Sequence, residues 1–104
     1  MNQMYLCQCK NAKATGFPSP GGFTVCAGSR ISDQVSASFE IGNLWYYKLR
    51  QKLIADGTIQ EQVFRHNYEF SSPSAAAAVV LGRTGGGLRS WQPIQTETED
   101  YGNG

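Results

Sequence analysis

Between Phe64 and Arg83 the chain changes from a two-residue period to a helical one within a few positions, and capping chemistry marks the junction. Phe64, His66, Tyr68 and Phe70 alternate with Arg65, Asn67 and Glu69, the pattern of a half-buried strand. Ser72 then offers a hydroxyl to the free amides of a first helical turn, Pro73 suits the first helical position, and Gly82 suits the left-handed residue beyond the last. The alanines from Ala75 to Ala78 give that helix almost no side-chain bulk. Whatever packs on it must bring a backbone or a flat surface close.

The remaining elements follow from similar signals. Tyr5 to Thr15 alternates loosely and reads as a strand, Gly16 to Gly22 is dense in turn-setting residues, and Phe23 to Ala27 resumes an apolar, β-favouring run. These three pieces predict an N-terminal β-hairpin. Gly28 to Gly42 places Ile31, Val35, Phe39 and Ile41 without a clear period and reads as an ordered loop crossing the core. Asn43 can cap a helix that runs to Asp56 and stops at Gly57, with Trp45, Tyr46, Leu49 and Leu53 on an arc facing the core. Lys48, Gln51 and Ala55 lie opposite, Lys52 at the border, and Tyr47, Arg50 and Ile54 on a half-apolar flank that can meet a partner. A last strand over Ser90 to Ile94 contains Trp91. The order predicts an α+β fold, an antiparallel sheet with an N-terminal β-hairpin and two helices packed on one side. Residues 1–94 form one globular domain in this reading, and 95–104 an acidic, disordered tail.

A chain of 104 residues can bury one core without metal or disulfide support. No apolar run approaches the roughly 20 residues needed to cross a bilayer, and the first residues lack a secretory pattern, so no membrane association and a cytoplasmic location are expected. Three cysteines cannot all pair internally and suit a reducing compartment. Net charge is +1 overall, but the tail holds Glu97, Glu99 and Asp100 and no base. Residues 1–94 therefore carry nine Lys and Arg against five Asp and Glu, an excess of +4. That balance permits phosphate neutralisation without demanding it.

Catalytic chemistry is thinly supplied. His66 is the single histidine, Cys7, Cys9 and Cys26 sit in apolar strand segments and read as structural, and the carboxylates are scattered. Cys7-x-Cys9 with Cys26 and His66 lacks the paired spacing of a zinc site. The chain is expected to be no enzyme and to need no metal or cofactor. Two constellations suit anions instead. Ser71, Ser72 and Ser74 at the helix start either cap the helix or hold a phosphate with the free amides. The glycine-rich stretch from Gly82, flanked by Arg83 and Arg89, is either a flexible connection or a phosphate-binding loop. Trp45 and Trp91 read as core anchors, with base stacking as the alternative, and Tyr47 with Arg50 as a surface contact.

The block from Phe70 to Arg83 followed by Trp91, with Ala14-Thr15-Gly16, the run Gly22 to Ser29, and Leu49-Arg50 with Leu53 and Gly57 upstream, resembles a bacterial family of unknown function. Members of that family are often fused behind GIY-YIG nuclease domains, and the block is more distantly similar to the restriction-enzyme adenine-methylase-associated (RAMA) domain. Gly86, Gly87 and Leu88 depart from the family's usual Asn-Gly and aromatic, and the GIY-YIG motif itself is absent. The resemblance implies an accessory module of nuclease or restriction and modification systems. With the basic body it gives the expectation of a non-catalytic module binding nucleic acid, DNA in particular, through Arg83, Arg89, Lys48 and Arg50, with amides from Ser71, Ser72 and Ser74. A protein-interaction adaptor or inhibitor acting on a defence-system partner is the competing expectation.

Overall fold

The computed structural model describes residues 3–9, 11–33, 35, 44–83 and 90–94. Its elements are β1 (Tyr5–Cys9), β2 (Ala12–Ser19), β3 (Gly22–Val25), α1 (Leu44–Ala55), β4 (Ile59–Gln60), β5 (Val63–Phe64), β6 (Tyr68–Phe70), α2 (Pro73–Leu81) and β7 (Gln92–Pro93). The fold is α+β. Five antiparallel strands take the order β6-β3-β2-β1-β7, and β4 and β5 form a separate hairpin.

The Ala-rich helix α2 is the centre of the packing. Ser72, extended at φ −161° and ψ 161°, accepts the Ala75 N–H at 3.1 Å, and left-handed Gly82 returns its N–H to Ala78 O at 2.9 Å. Every side chain from Ala75 to Leu81 is buried. With so little bulk around it, α2 meets β2, β3 and β6 of the sheet and also α1. Its main-chain carbonyls are therefore cut off from water and need donors from elsewhere. Arg50 of α1 donates to Val79 O at 2.8 Å, the Ser32 N–H to Val80 O at 2.8 Å, and the Trp91 indole to Pro73 O at 3.0 Å. Trp91 is 3% exposed and lies against Phe23 with ring centroids 4.6 Å apart, which makes it a core anchor.

The chain departs from the sequence reading in four places. The strand expected to run unbroken from Phe64 to Phe70 is two strands, because its ends pair with different neighbours. Phe64 exchanges main-chain bonds with Gly28 and Ser29, whereas Phe70 is paired with Phe23. The step between them is held where Asn67 Oδ1 accepts the Ala27 N–H at 2.8 Å, and His66 is exposed at the bend. At the N-terminus the single hairpin is a three-stranded meander. The chain turns back between Cys9 and Ala12, and β2 continues through Gly16 to Ser19 before turning at Pro20 and Gly21.

The third departure is the segment expected to be a loop after Gly28, which joins the sheets: Arg30 bridges both Lys13 of β2 and Val63 of β5. On α1, finally, the inward arc is displaced. Leu53 and Arg50 are buried and Tyr46 and Leu49 half-buried, while Trp45, expected inside, is 73% exposed. The residues of the expected tail, 95–104, lie outside the described residues.

Candidate functional site

The side chains singled out in the sequence do not gather in one place. Ser71, Ser72 and Ser74 stand at the start of α2, where the Ser72 hydroxyl is committed to its cap while Ser71 and Ser74 are exposed. Arg83 is exposed just past the other end. The helix between them has nine residues, about 13 Å at 1.5 Å per residue. Arg83 lines a cleft of about 290 Å³ with Leu6, Cys7, Ser90 and Gln92, well away from the serines. Lys48 is exposed on the outer side of α1. Arg50 is 4% exposed, and both ends of its guanidinium fork are taken, by Val79 O at 2.8 Å and Ser32 O at 2.6 Å. Burial lowers its pKa from the usual guanidinium range, against an opposite pull from Asp33 and Tyr47. Arg50 thus ties elements of the fold together, and its burial leaves little of it at the surface for the partner contact expected of Tyr47 with Arg50. Arg89 lies outside the described residues.

A different pair of cations comes together. Thr15 O accepts the Cys26 N–H, yet two residues back on β2, Lys13 is paired with Arg30. The second strand thus takes four steps to cover two, a bulge eased by Gly28 at φ +89°. The bulge sets Lys13 and Arg30 directly opposite each other, bonded through both main-chain pairs at 3.0 and 2.8 Å, with both side chains exposed. Like charges so placed repel, because directly opposed Cβ atoms stand about 4.5–5.5 Å apart. Among the described residues no carboxylate forms an ion pair with either; the one such pair is Lys52 with Asp56 at 3.7 Å. Lys13 and Arg30 line an open cleft of about 570 Å³ together with Cys9, Gly28, Asp33 and Gln62. Sequence reasoning missed this pair because its register depends on a bulge between distant segments. The one local sign was Lys13 on the polar side of an alternating strand.

The thiols divide by environment. Burial, reinforced by neighbouring Cys9, pushes Cys7 up to about 11, with Arg83 pulling weakly the other way. Cys9 is exposed, Cys26 half-buried, and all three are free. Since the thiolate is the reactive form, Cys9 should be modified by an aromatic disulfide reagent at least about tenfold faster than Cys7 in the native protein, and Cys7 only on unfolding. Mass mapping of the modified cysteines over time checks this; equal rates would show that β1 is not protected. Among the described residues no three His, Cys, Asp or Glu side chains come close enough to hold a metal ion. None of the described helices is long and apolar enough to cross a membrane.

An α+β domain of this design, with a central small-faced helix and an open basic cleft, belongs to no activity class by geometry alone. The chain is a member of the family described as Domain of unknown function (DUF4357), which matches residues 5–101. No curated protein and no solved structure matches it.

Proposed function

We propose that the chain is a non-catalytic nucleic-acid-binding accessory module, and that the opposed Lys13 and Arg30 side chains make its principal contact with the phosphate backbone. The observation that supports this is the pair itself. Two exposed cations set against each other lose mutual repulsion when an anion lies between them, and both line one open cleft. The +4 excess of residues 1–94 favours the same partner, as does the resemblance of the 70–83 block to domains that accompany GIY-YIG nucleases and to the RAMA domain. DNA of a restriction or modification system is the nucleic acid this resemblance points to. Arg83 at the neighbouring cleft of β1 and β7 would extend the contact.

Binding of short duplexes and single strands, followed by fluorescence anisotropy across salt concentrations, tests the reading. Each phosphate contact adds about 0.9 to the slope of log affinity against log salt on duplex DNA. Lys13→Ala with Arg30→Ala should lower that slope by roughly 1.8 and weaken binding about tenfold at moderate salt, with the far-ultraviolet spectrum unchanged. Salt-independent affinity, or an unaltered slope in the double variant, would overturn it. Copurification with one stoichiometric protein and no nucleic acid would point to the adaptor function.

A further inference from the structure

Trp45 is 73% exposed, whereas Trp91, the other tryptophan of the chain, is 3% exposed. A domain of this size has every reason to bury an indole, and α1 has a buried side on which Tyr46, Leu49 and Leu53 already lie. Among the described residues, two cations lie beside Trp45 on the outer side of α1. At about 100° per residue, Lys48 falls roughly 60° from Trp45 around the helix and Lys52 roughly 20°, so the three form one stripe. Lys48 is exposed, and the Lys52 side chain is 67% exposed, with Asp56 at 3.7 Å. Ile54, the other large apolar side chain at the surface of α1 among the described residues, is 42% exposed and lies roughly 180° from Trp45. Among the described residues the exposed apolar groups therefore do not merge into the patch a protein interface would use.

We infer that the Trp45, Lys48 and Lys52 stripe of α1 is a stacking site for an unpaired base of single-stranded nucleic acid. The inference rests on the nucleic-acid reading above and adds a strand preference to it. An exposed indole presents a π-face that any base can stack on, and lysines at its side neutralise the flanking phosphates. A base inside a duplex is stacked on its neighbours and unavailable to it. The stripe thus confers preference for single strands, largely indifferent to sequence.

Intrinsic fluorescence tests this directly, because the exposed Trp45 and buried Trp91 emit in different surroundings. Titration with a decamer of thymidylate should quench the red-shifted part of the emission, and a hairpin duplex should not. Trp45→Ala should weaken single-strand binding about tenfold while changing duplex binding less than twofold, and Trp45→Phe should keep most of the single-strand affinity. Binding of both nucleic acids with no quenching and no effect of Trp45→Ala would overturn the inference and leave the phosphate-binding reading standing. Failure of the intact protein to bind either one would overturn both.

Discussion

Arg50→Ala should destabilise the protein by about 3 kcal/mol, because it strips a charged donor from one buried and one partly buried carbonyl and each such bond is worth about 1.5–3 kcal/mol. A helix leaves its last carbonyls without intrahelical partners, and in α2 that end is packed between the sheet and α1. Gly82 satisfies Ala78 O, the Ser32 amide satisfies Val80 O, and Arg50 supplies the donor for Val79 O. The same guanidinium reaches Ser32 O, so one side chain ties α1, the segment after the bulge, and the end of α2. Its charge also lies at the negative end of the helix dipole. A domain of about 100 residues loses roughly 4–8 °C of Tm for each kcal/mol, so a fall of about 12–24 °C is expected.

Two comparisons separate this from a general effect of altering α1. Arg50→Lys should recover less than half of the loss, since a single ammonium cannot span both carbonyls in the fixed geometry of a guanidinium. Lys48→Ala, two residues earlier on the exposed side, should stay within about 0.5 kcal/mol. Chemical denaturation gives the numbers, and the midpoint should move with little change in slope. An Arg50→Ala protein of undiminished stability would mean that the guanidinium is not the donor these carbonyls depend on.

Arg50 also shows how far the sequence could be read. The α2 helix was legible because its determinants are local: Ser72, Pro73 and Gly82 act within a turn of where they stand. The role of Trp91 was legible as well, since a large aromatic in a small domain rarely lacks a core. On α1 the same logic misplaced two residues in opposite directions. Counting apolar side chains put Trp45 inside and Arg50 on the flank, yet α1 packs against the end of a helix whose carbonyls require donors. A hydrophobic pattern carries no record of where another helix ends.

The remaining misreadings have similar causes. The β4–β5 hairpin turns through Glu61 and Gln62 at φ 52° and 68°, left-handed positions normally taken by Asn and Gly, so no turn signal was present. Gly16, counted as a turn residue, lies within β2, where a glycine is needed because a Cβ would come within 2.5 Å of the Phe23 ring. The basic pair of the candidate site, Lys13 and Arg30, needed the register of a bulge, which is a tertiary fact. Of the cations named from sequence, Arg83 and Lys48 are at the surface but on different elements, because the helical period orders neighbours along one element and says nothing about which elements meet.

Gly22→Ala should be as damaging as the loss of Arg50, about 3 kcal/mol, for a reason that concerns backbone alone. Gly22 opens β3 at φ +147°, where an L side chain is strained by about 1–3 kcal/mol. The added Cβ would also run into Phe70 O and come within 2.5 Å of Ser71 O. Neither atom belongs to a side chain that can swing away. They lie at the junction of β6 with α2, one residue before the Ser72 cap, so relief requires either opening the β3–β6 pairing or shifting the helix start. Gly28→Ala supplies the control. Gly28 has φ +89° but nothing within 4 Å of the added carbon, so only the strain applies and about 1–2 kcal/mol is expected. The difference between the two variants measures the obstruction. Equal losses would mean that β6 gives way freely at Ser71, and the α2 cap would then be far less firmly seated on the sheet than the packing around Gly22 requires.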